Sequence, residues 1–246
     1  MSDTPPKGSP ARKKAASKSA KPGNAEQTPK TDDANGPEAK KAAVLAAALP
    51  QAAFDGFNAK VLEAAGKEAG VGKTELAVLF PDGPLGLIAF YSRKVDTEMV
   101  ERLAQMDLPA MKIRARIQAA VLARLAILKP HKEAARRAAA LLSLPMHAGL
   151  ATRLMYHTVD AMWRAAGDTA TDFNFYTKRG ILAGVYGSTL VRWLNDTSAD
   201  EVPTREFLAA RIENVMQFEK FKAQARQALS NFPGLAAWMA KKPAEK

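Results

Sequence analysis

From residue 42 onward apolar side chains recur every three to four positions, and Pro and Gly interrupt that rhythm where helices would end. The pattern predicts helices over 42–53, 58–69, 73–80, 84–106, 109–128, 131–143, 146–166, 172–194 and 203–228, with a short one near 233–241. Pro84, Pro109 and Pro203 stand in first turns, where a missing N–H costs nothing. No segment alternates as a half-buried strand does, so the expected fold class is all-α.

The spacing divides the chain in four. Residues 1–41 mix Pro, Ser, Ala and Lys with Asp3, Asp32 and Asp33, and read as a disordered basic tail. They hold neither the apolar run of a secretory signal nor the Arg-rich, acid-poor pattern of a mitochondrial presequence, so a cytoplasmic location is expected. Residues 42–81 carry three short helices joined by Asp55-Gly56-Phe57 and Ala69-Gly70-Val71-Gly72. This helix-turn-helix-like layout resembles the amino-terminal part of TetR-family regulators. Residues 82–228 supply a larger carboxy-terminal helical bundle packed on it, and 229–246 a terminal amphipathic helix.

Composition supports helices, because Ala and Leu outnumber Val, Ile and Thr. The absence of cysteine excludes disulfides, thiolate metal sites and a Cys nucleophile. The net charge of +11 is uneven. Residues 108–168 hold ten Lys/Arg against three Asp/Glu, and Lys112, Arg114, Arg116, Arg124, Lys129, Lys132, Arg136 and Arg137 form a basic belt suited to anionic lipid. Residues 42–107 hold six against nine, which repels DNA, so nucleic acid is not an expected partner. A TetR-type regulator with a lipid effector is the alternative.

Candidate chemistry is sparse. Gly72-Lys73-Thr74 looks like the end of a phosphate-binding loop, but Lys67 stands where the earlier Gly is needed. None of His131, His147 and His157 follows a Glu by three residues, the spacing of a di-iron bundle. Asp168 and Asp172 read as turn and cap residues. No catalytic residue, metal ligand or cofactor is therefore expected. Gly180, Ala183, Gly184 and Gly187 share a helical face with Phe173, Tyr176 and Leu190. Close helix packing explains such a stripe, and so does an oily channel, which assigns Phe173, Gly180, Gly184 and Gly187 to a lipid. Phe232, Leu235, Trp238 and Met239, followed by Lys241-Lys242, compose an interfacial helix that would contact a membrane.

One segment carries a family resemblance. Met162-Trp163, Ala166-Gly167-Asp168, the run Thr171-Asp172-Phe173-Asn174-Phe175-Tyr176-Thr177-Lys178-Arg179, and Leu182-Ala183-Gly184-Val185-Tyr186 closely resemble the Coq-nine family of ubiquinone-biosynthesis proteins. The likeness runs from about Ala42 to Arg226. It implies a TetR-like fold, often dimeric, that performs no chemistry. It implies binding of isoprenoid lipids or quinone precursors, membrane attachment by a terminal helix, and docking onto the di-iron hydroxylase of demethoxyubiquinone. The family's docking patch falls on Met162, Asp172, Phe175, Tyr176 and Arg179. Many relatives have Trp where Phe175 stands, so the anchor here is smaller. Taken as a bacterial homologue, the protein is expected at the inner membrane's cytoplasmic side, as a homodimer.

Overall fold

Pro37 opens the first helix, α1 (Pro37–Asp55), five residues before the apolar rhythm begins, because its fixed φ suits a first helical turn. The charged Glu38, Lys40 and Lys41 hide this start in the sequence. The computed structural model describes residues 36–168 and 173–230. Along α1, Val44, Leu45, Ala48, Leu49 and Ala52 are buried at helical spacing. The chain then forms α2 (Ala59–Glu68) and α3 (Lys73–Leu79). Asn58 starts α2 as a cap, its side chain accepting from the Val61 N–H at 3.0 Å. A Cβ on Gly66 would stand 2.8 Å from a methyl of Leu76, so this glycine lets α2 and α3 meet. Packing thus accounts for Gly66, and a left-handed φ of 70° for Gly70.

The larger part follows as α4 (Pro84–Ala104), α5 (Ile113–Leu128), α6 (Lys132–Leu142), α7 (Ala148–Ala165), α8 (Phe173–Leu194) and α9 (Val202–Ser230). Among the described residues there is no strand. Helix α4 packs on α5 and α7, α8 on α7 and α9, and α1 on α2 and α6. One apolar core runs through both parts, with Leu87, Met99, Val121, Leu125, Met162, Trp193 and Leu208 almost fully buried.

Three proline-marked joints form 3-10 turns, and of these only Pro109 was expected to open an α-helix. Pro109, Pro130 and Pro145 lie in separate 3-10 turns, Leu108–Ala110, Lys129–His131 and Pro145–His147. The Asp107 side chain accepts from the Ala110 N–H, and extended Met111 and Lys112 then delay α5 to Ile113.

The link from α8 to α9 is held by polar bonds. Glu201 has φ 55°, a costly conformation for a residue with a Cβ. The Trp193 indole N–H donates to its carboxylate at 2.9 Å, and Lys129 lies 3.4 Å away. Asp196 accepts from the hydroxyls of Ser198 at 2.6 Å and Thr204 at 2.5 Å.

Candidate functional site

Two features of the carboxy-terminal helices carry candidate function: a charged corner between α7 and α8, and a cavity behind it. At the corner, Gly167 has φ 90° and lies so near Arg116 that a side chain there would be strained and crowded. Arg116, from α5, donates to the Ala166 carbonyl at 2.9 Å. Arg179, only 3% exposed, is shared between Asp160 at 2.6 Å and Asp168 at 3.3 Å. Burial pushes the Asp160 carboxyl up, but hydrogen bonds from Arg164 and Arg179 outweigh it and hold the group below the usual carboxylate range. The Arg179 guanidinium lies 3.3 Å from the centre of the Phe175 ring, and that ring meets Tyr176 edge-on at 5.1 Å. Tyr176 projects outward, 68% exposed. Beside it a groove is lined by Thr152, Met155, Tyr156 and Gly180.

The cavity, about 440 Å³, lies among α4, α5, α6, α7 and α8. Ile88, Leu128, Ala138, Leu142, Leu154 and Leu190 give it apolar walls. Its volume falls within the range of roughly 300–1,000 Å³ common for small-molecule sites. Tyr91, Ser92, Arg124, Thr158 and Tyr186 also line it and form its polar end. Arg124 donates from Nε to Asp96 at 2.7 Å, from Nη2 to Ser92 at 3.0 Å, and from Nη1 to the Tyr186 hydroxyl. Thr158 donates to the same Asp96 carboxylate, 3.0 Å from Oδ2. Burial pushes the Tyr91 hydroxyl up to about 12 and that of Tyr186 above its ordinary value, so both stay protonated. Burial works against the Arg124 charge, but Tyr186 and Asp96 more than compensate.

These geometries correct several expectations. Met162 is fully buried and Arg179 nearly so; they brace the corner from beneath and are not open to a partner. Phe175 is half-buried under Arg179, and Tyr176 is exposed. Asp172 lies outside the described residues, as do Phe232, Leu235, Trp238 and Met239, and the side chain of Phe173 does too. The glycine stripe does not line one channel. Gly180 and Gly184 are exposed, and a Cβ on either would meet nothing within 4 Å. Gly187 alone of the three lines the cavity, where a Cβ would sit 3.6 Å from Met155. Along α8 the cavity is met only by Tyr186, Gly187, Leu190 and Val191, beyond Gly180 and Gly184.

The basic belt also breaks up. Arg124 is buried, Arg116 binds backbone carbonyls, and Lys132 and Arg136 donate to the carbonyls of Asp196 and Leu194 at the end of α8. Lys112, Arg114 and Arg137 remain on the surface. On α3 and its neighbours, Lys73 pairs with Glu63 at 3.4 Å and Lys40 with Glu75 at 2.6 Å. Among the described residues no cluster of three or more His, Asp or Glu is placed to hold a metal ion, and no helix is long and apolar enough to cross a membrane.

The polar cluster escaped sequence reading because Asp96, Arg124, Thr158 and Tyr186 come from four helices. One signal was available: Arg124 interrupts an apolar face of α5 formed by Ile117, Ala120, Val121 and Leu128.

The architecture is TetR-like. The chain superposes on a TetR transcriptional regulator from Nitrosomonas europaea with a TM-score of 0.56 at 19% identity, covering 70% of this chain and 95% of that one. The COQ9 family model matches residues 148–219, which hold α7, the corner, α8 and much of α9. Over 179 residues the chain is 31% identical to the mitochondrial ubiquinone biosynthesis protein COQ9 of Rattus norvegicus, covering 70% of this chain and 57% of that protein. The corresponding Homo sapiens protein is 30% identical over 180 residues, with 70% and 56% covered. For Drosophila melanogaster the identity is 29% over 199 residues, with 79% and 61% covered. The chain is thus similar to the COQ9 family model over residues 148–219 and to these COQ9 proteins over 70–79% of its own length. It spans under two thirds of the length of these relatives. Their names also overturn the expected bacterial inner-membrane location, since they are mitochondrial proteins of eukaryotes.

Proposed function

We propose that this chain is a non-catalytic accessory protein of ubiquinone biosynthesis that holds a polyprenylated quinone precursor for a partner enzyme. The observation that carries the reading is the apolar cavity enclosed by the carboxy-terminal helices. Moving a prenyl tail through water costs about 0.8 kcal/mol per CH2, whereas transfer from lipid into an equally oily cavity costs little. In this reading Phe232, Leu235, Trp238 and Met239 bring the protein to the membrane, where such a transfer avoids water. Tyr176 and the edge of Phe175 meet the di-iron hydroxylase that acts on demethoxyubiquinone. A DNA-binding role is disfavoured because Lys40 and Lys73 are already paired with glutamates.

Gly187 and Gly184 provide the test. Gly187→Leu projects a side chain into the cavity and is expected to deplete the isoprenoid lipid that mass spectrometry finds in organic extracts of the purified protein. Gly184 lies outside that cavity and a Cβ there meets nothing within 4 Å, so Gly184→Leu should leave that content unchanged. Both changes favour helix by up to about 1 kcal/mol, so lost lipid would not reflect lost fold. Equal lipid in the two variants would sink the cavity assignment.

A further inference from the structure

The polar end of the cavity has more donors than acceptors. Arg124 and Asp96 neutralise each other, so the cluster carries no net charge. The oxygens of Tyr186 and Ser92 accept from Arg124, and neither hydroxyl proton has an acceptor among the described residues. The Tyr91 hydroxyl has no partner among the described residues, although the residue is only 7% exposed. A buried hydroxyl left unpaired is destabilising, and a ligand acceptor would relieve that cost. No residue lining the cavity supplies a free cation, because Arg124 is committed to Asp96.

We infer that Tyr91, with Tyr186 and Ser92, forms a seat for an uncharged oxygen acceptor: a carbonyl oxygen of a quinone head group enters the cavity and binds at this end, while its prenyl tail lies along the apolar walls. This assignment rests on the lipid-holding function proposed above and adds the ligand's orientation and the residues that hold its head group. The head group is held inward while the precursor is carried. An anionic headgroup is selected against, since its charge would be buried without a free counter-ion.

The experiment uses the full chain, stripped of lipid, as wild type and Tyr91→Phe. Each is titrated with a benzoquinone bearing a short isoprenoid tail, with an isoprenoid hydrocarbon, and with palmitate. Removing one buried hydrogen bond is expected to weaken quinone binding about five- to tenfold. Hydrocarbon affinity should stay the same, and palmitate should bind less tightly than the quinone. Thermal unfolding of Tyr91→Phe should match or exceed that of the wild type, because the hydroxyl it lacks had no partner. Equal quinone affinity in the two proteins overturns the seat while leaving the lipid-holding function intact. Parallel loss of quinone and hydrocarbon, or preference for palmitate, also overturns it. Failure of the wild type to bind either quinone or hydrocarbon overturns the function and the seat together.

Discussion

Arg124 shows how much one side chain can settle. Its pairing with Asp96 at 2.7 Å makes a buried ion pair within the core. Arg124→Ala would leave a carboxylate buried without its partner, at a cost of about 3–5 kcal/mol in urea unfolding. The double change Arg124→Met with Asp96→Leu should recover most of that loss, since it removes both charges. A deficit as large as that of the single variant would mean the pair is not the cause. Asp196 sets a different expectation. Hydrogen bonds from Ser198 and Thr204 hold its carboxyl well below the usual carboxylate range. A carboxyl more acidic when folded stabilises the protein above its unfolded value of about 3.9 and loses that contribution as pH falls toward the folded value. Melting temperature should therefore drop below about pH 4, and Asp196→Asn should drop less steeply.

Among the elements, the α7–α8 corner separates what braces from what is presented. If Tyr176 meets the hydroxylase as proposed, Tyr176→Ala abolishes co-purification with it and changes unfolding free energy by no more than about 0.5 kcal/mol, as for an ordinary surface substitution. Arg179→Ala should instead lose stability, by about 2–3 kcal/mol or more, because Asp160 and Asp168 lose their shared partner. If Tyr176→Ala melts early, its ring belongs to the core. The helices themselves were legible in the chain: Asn58, Pro84 and the Gly70 turn mark boundaries by local chemistry that the structure keeps. Pro109 misled because a proline can open a 3-10 turn as well as an α-helix, and the residues after it decide. The partner patch was read too broadly for a related reason. Sequence spacing places Tyr176 and Arg179 close together on α8, but it does not tell which of them has buried carboxylates waiting behind it.

At the scale of the whole molecule, the all-helical TetR-like fold could be read from periodicity and resemblance, whereas the cavity could not. Five helices build its walls, and the space depends on how they cross. Gly180, Gly184 and Gly187 look equivalent on a helical wheel, yet only the last meets that space. The two candidate sites are nevertheless not independent. Helix α5 touches both: Arg124 organises the polar end of the cavity, and Arg116, eight residues earlier, grips the turn behind Tyr176 through the Ala166 carbonyl. That separation is about 12 Å along a rigid rod. Anything that displaces Arg124 at the cavity therefore acts on the same helix that pins the corner through Arg116.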